Sequence, residues 1–190
     1  MKIIILRHGK PEIPSLDRLT PIEFSGWVRS YNKAGLSMSS TPTSDALNIA
    51  NQCKAVVCSS LPRSTQSATA LKIANTTLNS SLFNEAGLPI ANFNFPRLSP
   101  KAWAIIFRIL WFFGYSKNSE SYKAAKTRAS KAAKTLIDLA NNNTSVLFIG
   151  HGVYNQLVVN ELISAGWTGP KSPGTRHWSY GVYTYPLNRP

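Results

Sequence analysis

The sequence holds two cysteines, Cys53 and Cys58, in 190 residues. That count excludes a disulfide framework and a cysteine-built metal site. With Cys58 closing the apolar run "AVVCSS", both read as buried thiols. Acidic residues are scarce as well: eight Asp and Glu stand against 21 Lys and Arg, a formal charge of +13. Such a balance favours anionic partners, whether phosphorylated small molecules, acidic lipids or nucleic acid. Long hydrophobic runs are absent. The opening run Ile3 to Leu6 is broken by Arg7 and falls short of the ~7 to 15 residues of a signal-peptide core. The later apolar stretch, residues 102 to 113, is shorter than the about 20 residues a bilayer span requires. The expectation is a cytoplasmic protein.

What is present is a hydrophobic content of 43%, enough for a sizeable core in one domain spanning 1–190. Ile3 to Leu6, "KAVVCS" and "SVLFIG" are short β-branched runs, as expected of strands covered on both faces. Between them lie helical stretches: "LTPIEFSGWVRSYNKAGL" with Thr20 as cap and Gly35 as stop, a second helix from about Asp45, and "SLPRSTQSATALKIA" with Ser60 as cap. Later come a strand near Leu78 to Phe83, a helix opening at Ser99 and Pro100, and a helix from Ser119 to Asn141. That last helix has Tyr122, Ala125, Ala129, Ala132, Leu136 and Ala140 on one face and lysines between them. A final helix ends about Ala165, and "SYGVYTYPL" alternates like a strand. Strands alternating with helices predict an α/β fold, a three-layer α/β/α sandwich with a largely parallel sheet. Residues 86 to 122 form an aromatic-rich insert or lid, whose helix is buried, lid-like or interfacial.

Ligands of such sheets sit at the carboxyl ends of the strands. There the sequence sets costly polar residues: Arg7 and His8 after the first strand, Arg63 after "AVVCSS", and His151 after "SVLFIG". Two arginines and two imidazoles suit the several oxygens of a phosphoryl group. A neutral imidazole is a competent nucleophile toward phosphorus, and Gly9 leaves room for a sharp turn beside it. Departure of an alkoxide needs a proton donor. Glu85 is the single carboxylate between Asp45 and Glu120, which makes it the candidate general acid, its protonation favoured by partial burial. Outside this set, His177 is expected to serve a loop or structural purpose, its neighbour Arg176 could approach a phosphate though nothing in the sequence requires it, and Lys10, directly after the motif, is either a solvated lysine or an aid in attracting anions.

"LRHGK", "SSLPRSTQSA", "NEAG" and "FIGHG", in that order over residues 1 to about 160, together resemble the histidine phosphatase superfamily, the phosphoglycerate-mutase-like fold. The resemblance implies His8 as the phosphorylated nucleophile, Arg7, Arg63 and His151 as the phosphate pocket with Gly152 beside them, and Glu85 as proton donor. No metal or organic cofactor is implied. Many members, the mutases among them, continue with Glu-Thr after the Arg-His-Gly and with Asn five residues past the Gly. Here Lys10, Pro11 and Pro14 stand instead, so a phosphomonoester hydrolase acting on a small phosphorylated substrate or a phosphoprotein is expected. The alternatives are a non-catalytic protein that binds a phosphorylated ligand or phosphoprotein, a mutase-type phosphotransferase, and a phosphatase at an anionic membrane surface. Nucleic acid is not expected, since Tyr122 alone interrupts the basic face from Lys117 to Lys134.

Overall fold

The computed structural model of the protein describes residues 1–13 and 17–186; Pro14, noted above as a departure from the mutase pattern, lies outside them. In chain order the elements are β1 (Lys2–Arg7), α1 (Pro21–Lys33), α2 (Ser44–Asn51), β2 (Ala55–Ser59), α3 (Pro62–Ala70), β3 (Leu78–Ser80), α4 (Pro100–Phe112), α5 (Tyr122–Asn143), β4 (Ser145–Gly150), α6 (Gly152–Ser164) and β5 (Tyr180–Thr184). The strands form one sheet in the order β3-β2-β4-β1-β5. Pairings along it are parallel except that β5 runs antiparallel to β1.

The continuous apolar runs are explained by a sheet buried on both faces. In β1, Ile3 and Ile5 enter one hydrophobic cluster while Ile4 and Leu6 enter another. Val57 and Phe148 join the first, Cys58 and Ile149 the second, as the two-residue period of a strand requires. The first cluster is closed by α5 and α6; the second by α2 and α3. The structure is therefore a three-layer α/β/α sandwich. In α5 the stripe is mostly alanine (Ala125, Ala129, Ala132, Ala133, Ala140), so a 22-residue helix lies close against its neighbours.

A third cluster is built by α1 and α4, where Phe24 stacks on Phe107 and Trp103 lies against Phe107. Thr20 and Glu23 close a reciprocal capping box on α1, and Ser99 caps α4. Only one side of α4 is packed: Trp103, Phe107 and Trp111 are buried, whereas Ile105, Ile109 and Phe112 are exposed. Two local expectations are corrected. Ser60 does not cap α3; the N-cap is Leu61, and Ser60 bonds Asn84 Oδ1 through both its N–H and its hydroxyl. The strand expected to reach Phe83 ends at Ser80 and tightens into a 3-10 turn, Ser81–Phe83. Both thiols are free, and burial pushes each up to about 11, which keeps them protonated and unreactive. Among the described residues no helix is long and apolar enough to cross a membrane.

Candidate active site

The register across the three inner strands assembles the site. Arg7 of β1 is level with Gly150 of β4, and Cys58 of β2 with Ile149. Ser59 therefore falls level with Gly150, and just beyond it His8 and His151 emerge side by side. The His8 and His151 ring centroids are 4.8 Å apart, and His151 Nε2 lies 2.6 Å from Ser59 Oγ. Two buried hydroxyls of α3 lock the strand ends together. Ser64 accepts from Ser59 N and donates to Ile149 O; Ser67 accepts from Gly9 N and donates to Arg63 O. Arg63, itself buried, donates to Tyr31 O at 3.1 Å and places its guanidinium 4.7 Å from the Tyr31 ring centre. Arg7 donates to Thr175 O.

Protonation follows from these contacts. His8 Nδ1 sits 2.6 Å from Gly9 O; a carbonyl only accepts, so Nδ1 carries the proton and Nε2 keeps its lone pair. Burial first, and then the Arg63 charge, push the His8 imidazole down to about 3 from its ordinary 6.5. The ring is thus neutral at physiological pH, as a nucleophile must be. Burial, His8 and Arg63 drive His151 in the same direction. Ser59 Oγ also accepts from Leu61 N; in the tautomer in which its own hydrogen goes to His151 Nε2, Nδ1 holds a proton. Among the described residues, four buried side-chain polar atoms lack a protein partner, and three of them belong here: Arg7 Nε, Arg63 Nε and His151 Nδ1. Unpaired buried donors are costly, and three converging on one place suit an oxyanion.

The depressed imidazole has a stability consequence. Unfolded, His8 takes up a proton near pH 6.5, and folded only near 3. Its contribution is complete above the unfolded value and is lost as pH falls through this window. Thermal denaturation of ligand-free protein is expected to show stability falling between about pH 6 and about pH 4. His8→Ala should flatten that slope by up to about 1.4 kcal/mol per pH unit. Equal slopes in the two proteins would contradict the assignment.

Glu85 is half-buried and grips the start of α6. Its Oε1 accepts from Ala86 N and Tyr154 N, both at 2.9 Å, and its Oε2 from Val153 N at 3.2 Å. Each carboxyl oxygen has two lone-pair positions, so Oε2 retains one place for a proton. The preceding segment is held by Arg128, which donates to Leu82 O and Asn84 O while pairing with Glu120 at 2.7 Å. Arg7, Arg63 and Glu85 also line a cavity of about 480 Å³. Its remaining walls come from Ile13, α1, α4 and residues 86–88, with Trp27, Val28, Leu88 and Ala104 among the apolar groups.

No family model matches the sequence, and no curated protein matches it either. Solved structures do match in shape. One is the product of a functionally characterised open reading frame of Mycobacterium tuberculosis, with 16% identity, TM-score 0.63, and coverage of 98% of this chain and 92% of that one. A mycobacterial glucosyl-3-phosphoglycerate phosphatase in complex with VO3 has 16% identity, TM-score 0.60, and coverage of 95% and 91%. The protein histidine phosphatase SixA in complex with tungstate has 13% identity, TM-score 0.50, and coverage of 97% and 95%. The fold is that of the histidine phosphatase superfamily.

On this histidine phosphatase fold, Arg7, His8, Arg63, Glu85 and His151 are brought to one sheet edge, and Gly152 sits there too: a Cβ added to it would lie 3.5 Å from Arg7 Cζ. The reason for Gly9 is different from the one expected. A Cβ there would fall 2.2 Å from the Trp178 indole, so Gly9 is required by packing and not by a turn. His177 lies beside the site, in a use that is structural as expected. Its ring lies 5.4 Å from His8, and its Nδ1 donates to His8 O at 3.0 Å. Sequence reasoning missed Asn155, which is buried, accepts from His151 N and donates to Leu6 O. The spacing of four from His151 was its one visible signal. Arg108 lines the cavity and donates to Ala86 O at 2.8 Å. Lys10 is exposed, as is Arg176.

Proposed function

We propose that the chain is a phosphomonoesterase that works through a phosphohistidine at His8. The observation that carries this reading is the hydrogen bond from His8 Nδ1 to Gly9 O, which leaves Nε2 its lone pair, beside three unpaired buried arginine or imidazole nitrogens. In the first half-reaction the Nε2 lone pair attacks phosphorus, an N–P bond forms and the ester P–O bond breaks. The leaving alkoxide takes the proton of Glu85. Arg7, Arg63 and His151 Nδ1 hold the equatorial oxygens, where charge is spread in the transition state. Water then attacks phosphorus and gives a proton to the Glu85 carboxylate, and the N–P bond breaks. Inorganic phosphate leaves, and Nε2 regains its lone pair.

The substrate is a phosphomonoester with an apolar part. The walls contributed by Ile13, Trp27, Val28, Leu88 and Ala104 gain by excluding water from an apolar group, with Asn32, Lys101 and Arg108 the polar residues set among them. Phosphate release is therefore expected from both aryl phosphates and alkyl phosphates, with kcat/KM rising about threefold to fourfold per added methylene of an alkyl series until the cavity is filled. Vanadate, a mimic of pentacoordinate phosphorus, should inhibit competitively. A folded protein that binds vanadate yet releases no phosphate from any of these esters would overturn hydrolysis and leave a phospho-ligand binding protein.

A further inference from the structure

We infer that the outward face of α4 is a docking face for an anionic lipid surface. Trp103, Phe107 and Trp111 recur every four residues and are buried against α1 and the core. On the opposite side of the helix stand Ile105 (52% exposed), Ile109 (51%), Phe112 (49%) and Phe113 (87%). A helix apolar all round is normally buried all round, and a contiguous exposed apolar stripe marks a contact surface. At 13 residues the helix is about 20 Å long, too short to span the about 30 Å of a bilayer core but suited to lying in its interface.

Charge selects the occupant. Residues 86–119 carry Arg97, Lys101, Arg108 and Lys117 and no acidic residue. Arg97 is paired with Glu23 and Arg108 is turned to backbone carbonyls, while Lys101 and Lys117 are exposed. At the end of the helix Phe112 packs edge-on against Tyr122, the first residue of α5, from which exposed Lys123 and Lys126 follow. The apolar stripe is thus flanked by free ammonium groups at both ends, the complement of acidic headgroups. A second copy fits poorly, because a two-fold contact through this face sets like lysines against one another on chains of +13.

The test is flotation of the full chain with phosphatidylcholine vesicles containing about 30 mol% phosphatidylglycerol, against pure phosphatidylcholine. Binding is expected to the anionic vesicles at about 0.05 M salt and to fall steeply by about 0.5 M. Ile109→Ser/Phe113→Ser should weaken it at least about tenfold, as should Lys101→Glu/Lys117→Glu, with Met38→Ser as an unaffected control. Phe113→Ser alone, at the most exposed position of the stripe, keeps the comparison open should the double variant not fold. No flotation of wild type at low salt overturns the inference, and so does flotation unchanged by the serine variants. Sedimentation showing a wild-type dimer that Phe113→Ser dissolves would assign the face to a second copy instead. Because the readout is binding, its failure leaves the proposed hydrolysis untouched.

Discussion

His8→Ala is expected to lower phosphate release from an aryl phosphate by at least about 10⁴-fold in kcat/KM. Loss of the nucleophile removes the covalent route, and Arg7, Arg63 and His151 remain to bind the dianion. Phosphate affinity should therefore change by less than about tenfold, which separates a missing nucleophile from a collapsed pocket. His177→Ala provides the contrast. Its hydrogen bond is to the His8 backbone carbonyl, so it positions the loop and supplies no electrons to phosphorus; a loss of about tenfold or less is expected. Kinetics of the three proteins with one aryl phosphate check this. A His8→Ala protein within tenfold of wild type would sink the covalent mechanism.

Glu85→Gln should have an effect that depends on the leaving group. For an alkyl phosphate the departing alkoxide needs a proton, and the first half-reaction should slow by about 10² to 10⁴-fold. For an aryl phosphate with an acidic phenol the same step should slow by less than about tenfold, as judged by the burst of phenol in single-turnover mixing. The substitution also sets an amide NH₂ where one carboxyl oxygen accepts a backbone N–H, from Val153 or from Ala86 and Tyr154. Stability should fall by about 1 to 3 kcal/mol in consequence. A stability loss with equal slowing of both esters would make Glu85 a cap of α6 and no more.

The strands and the site's cations were legible for one reason. A parallel sheet buried on both faces forces continuous apolar runs, and a costly Arg or His just past such a run stands out against them, as Arg7, His8 and His151 do. His177 had no such background. It reaches the site from a loop before the antiparallel strand β5, and what it touches is a backbone oxygen, which leaves no partner side chain to read. Asn155 is similar, since both of its bonds are to main chain. The outward face of α4 was hidden because a helix apolar on every side does not say which side is packed. The capping role of Glu85 was hidden because it depends on where α6 begins in space, across 68 residues of chain from Glu85 to Val153.

The most direct test is to trap the covalent intermediate. Wild-type protein mixed with a ³²P-labelled phosphomonoester and quenched in alkaline denaturant within one turnover should retain protein-bound label, stable to base and lost in acid as an N–P bond requires. Peptide mapping should place that label on His8, and the His8→Ala protein should carry none. Label on another residue, or phosphate released in a single turnover without label on the protein at any time, would contradict the account.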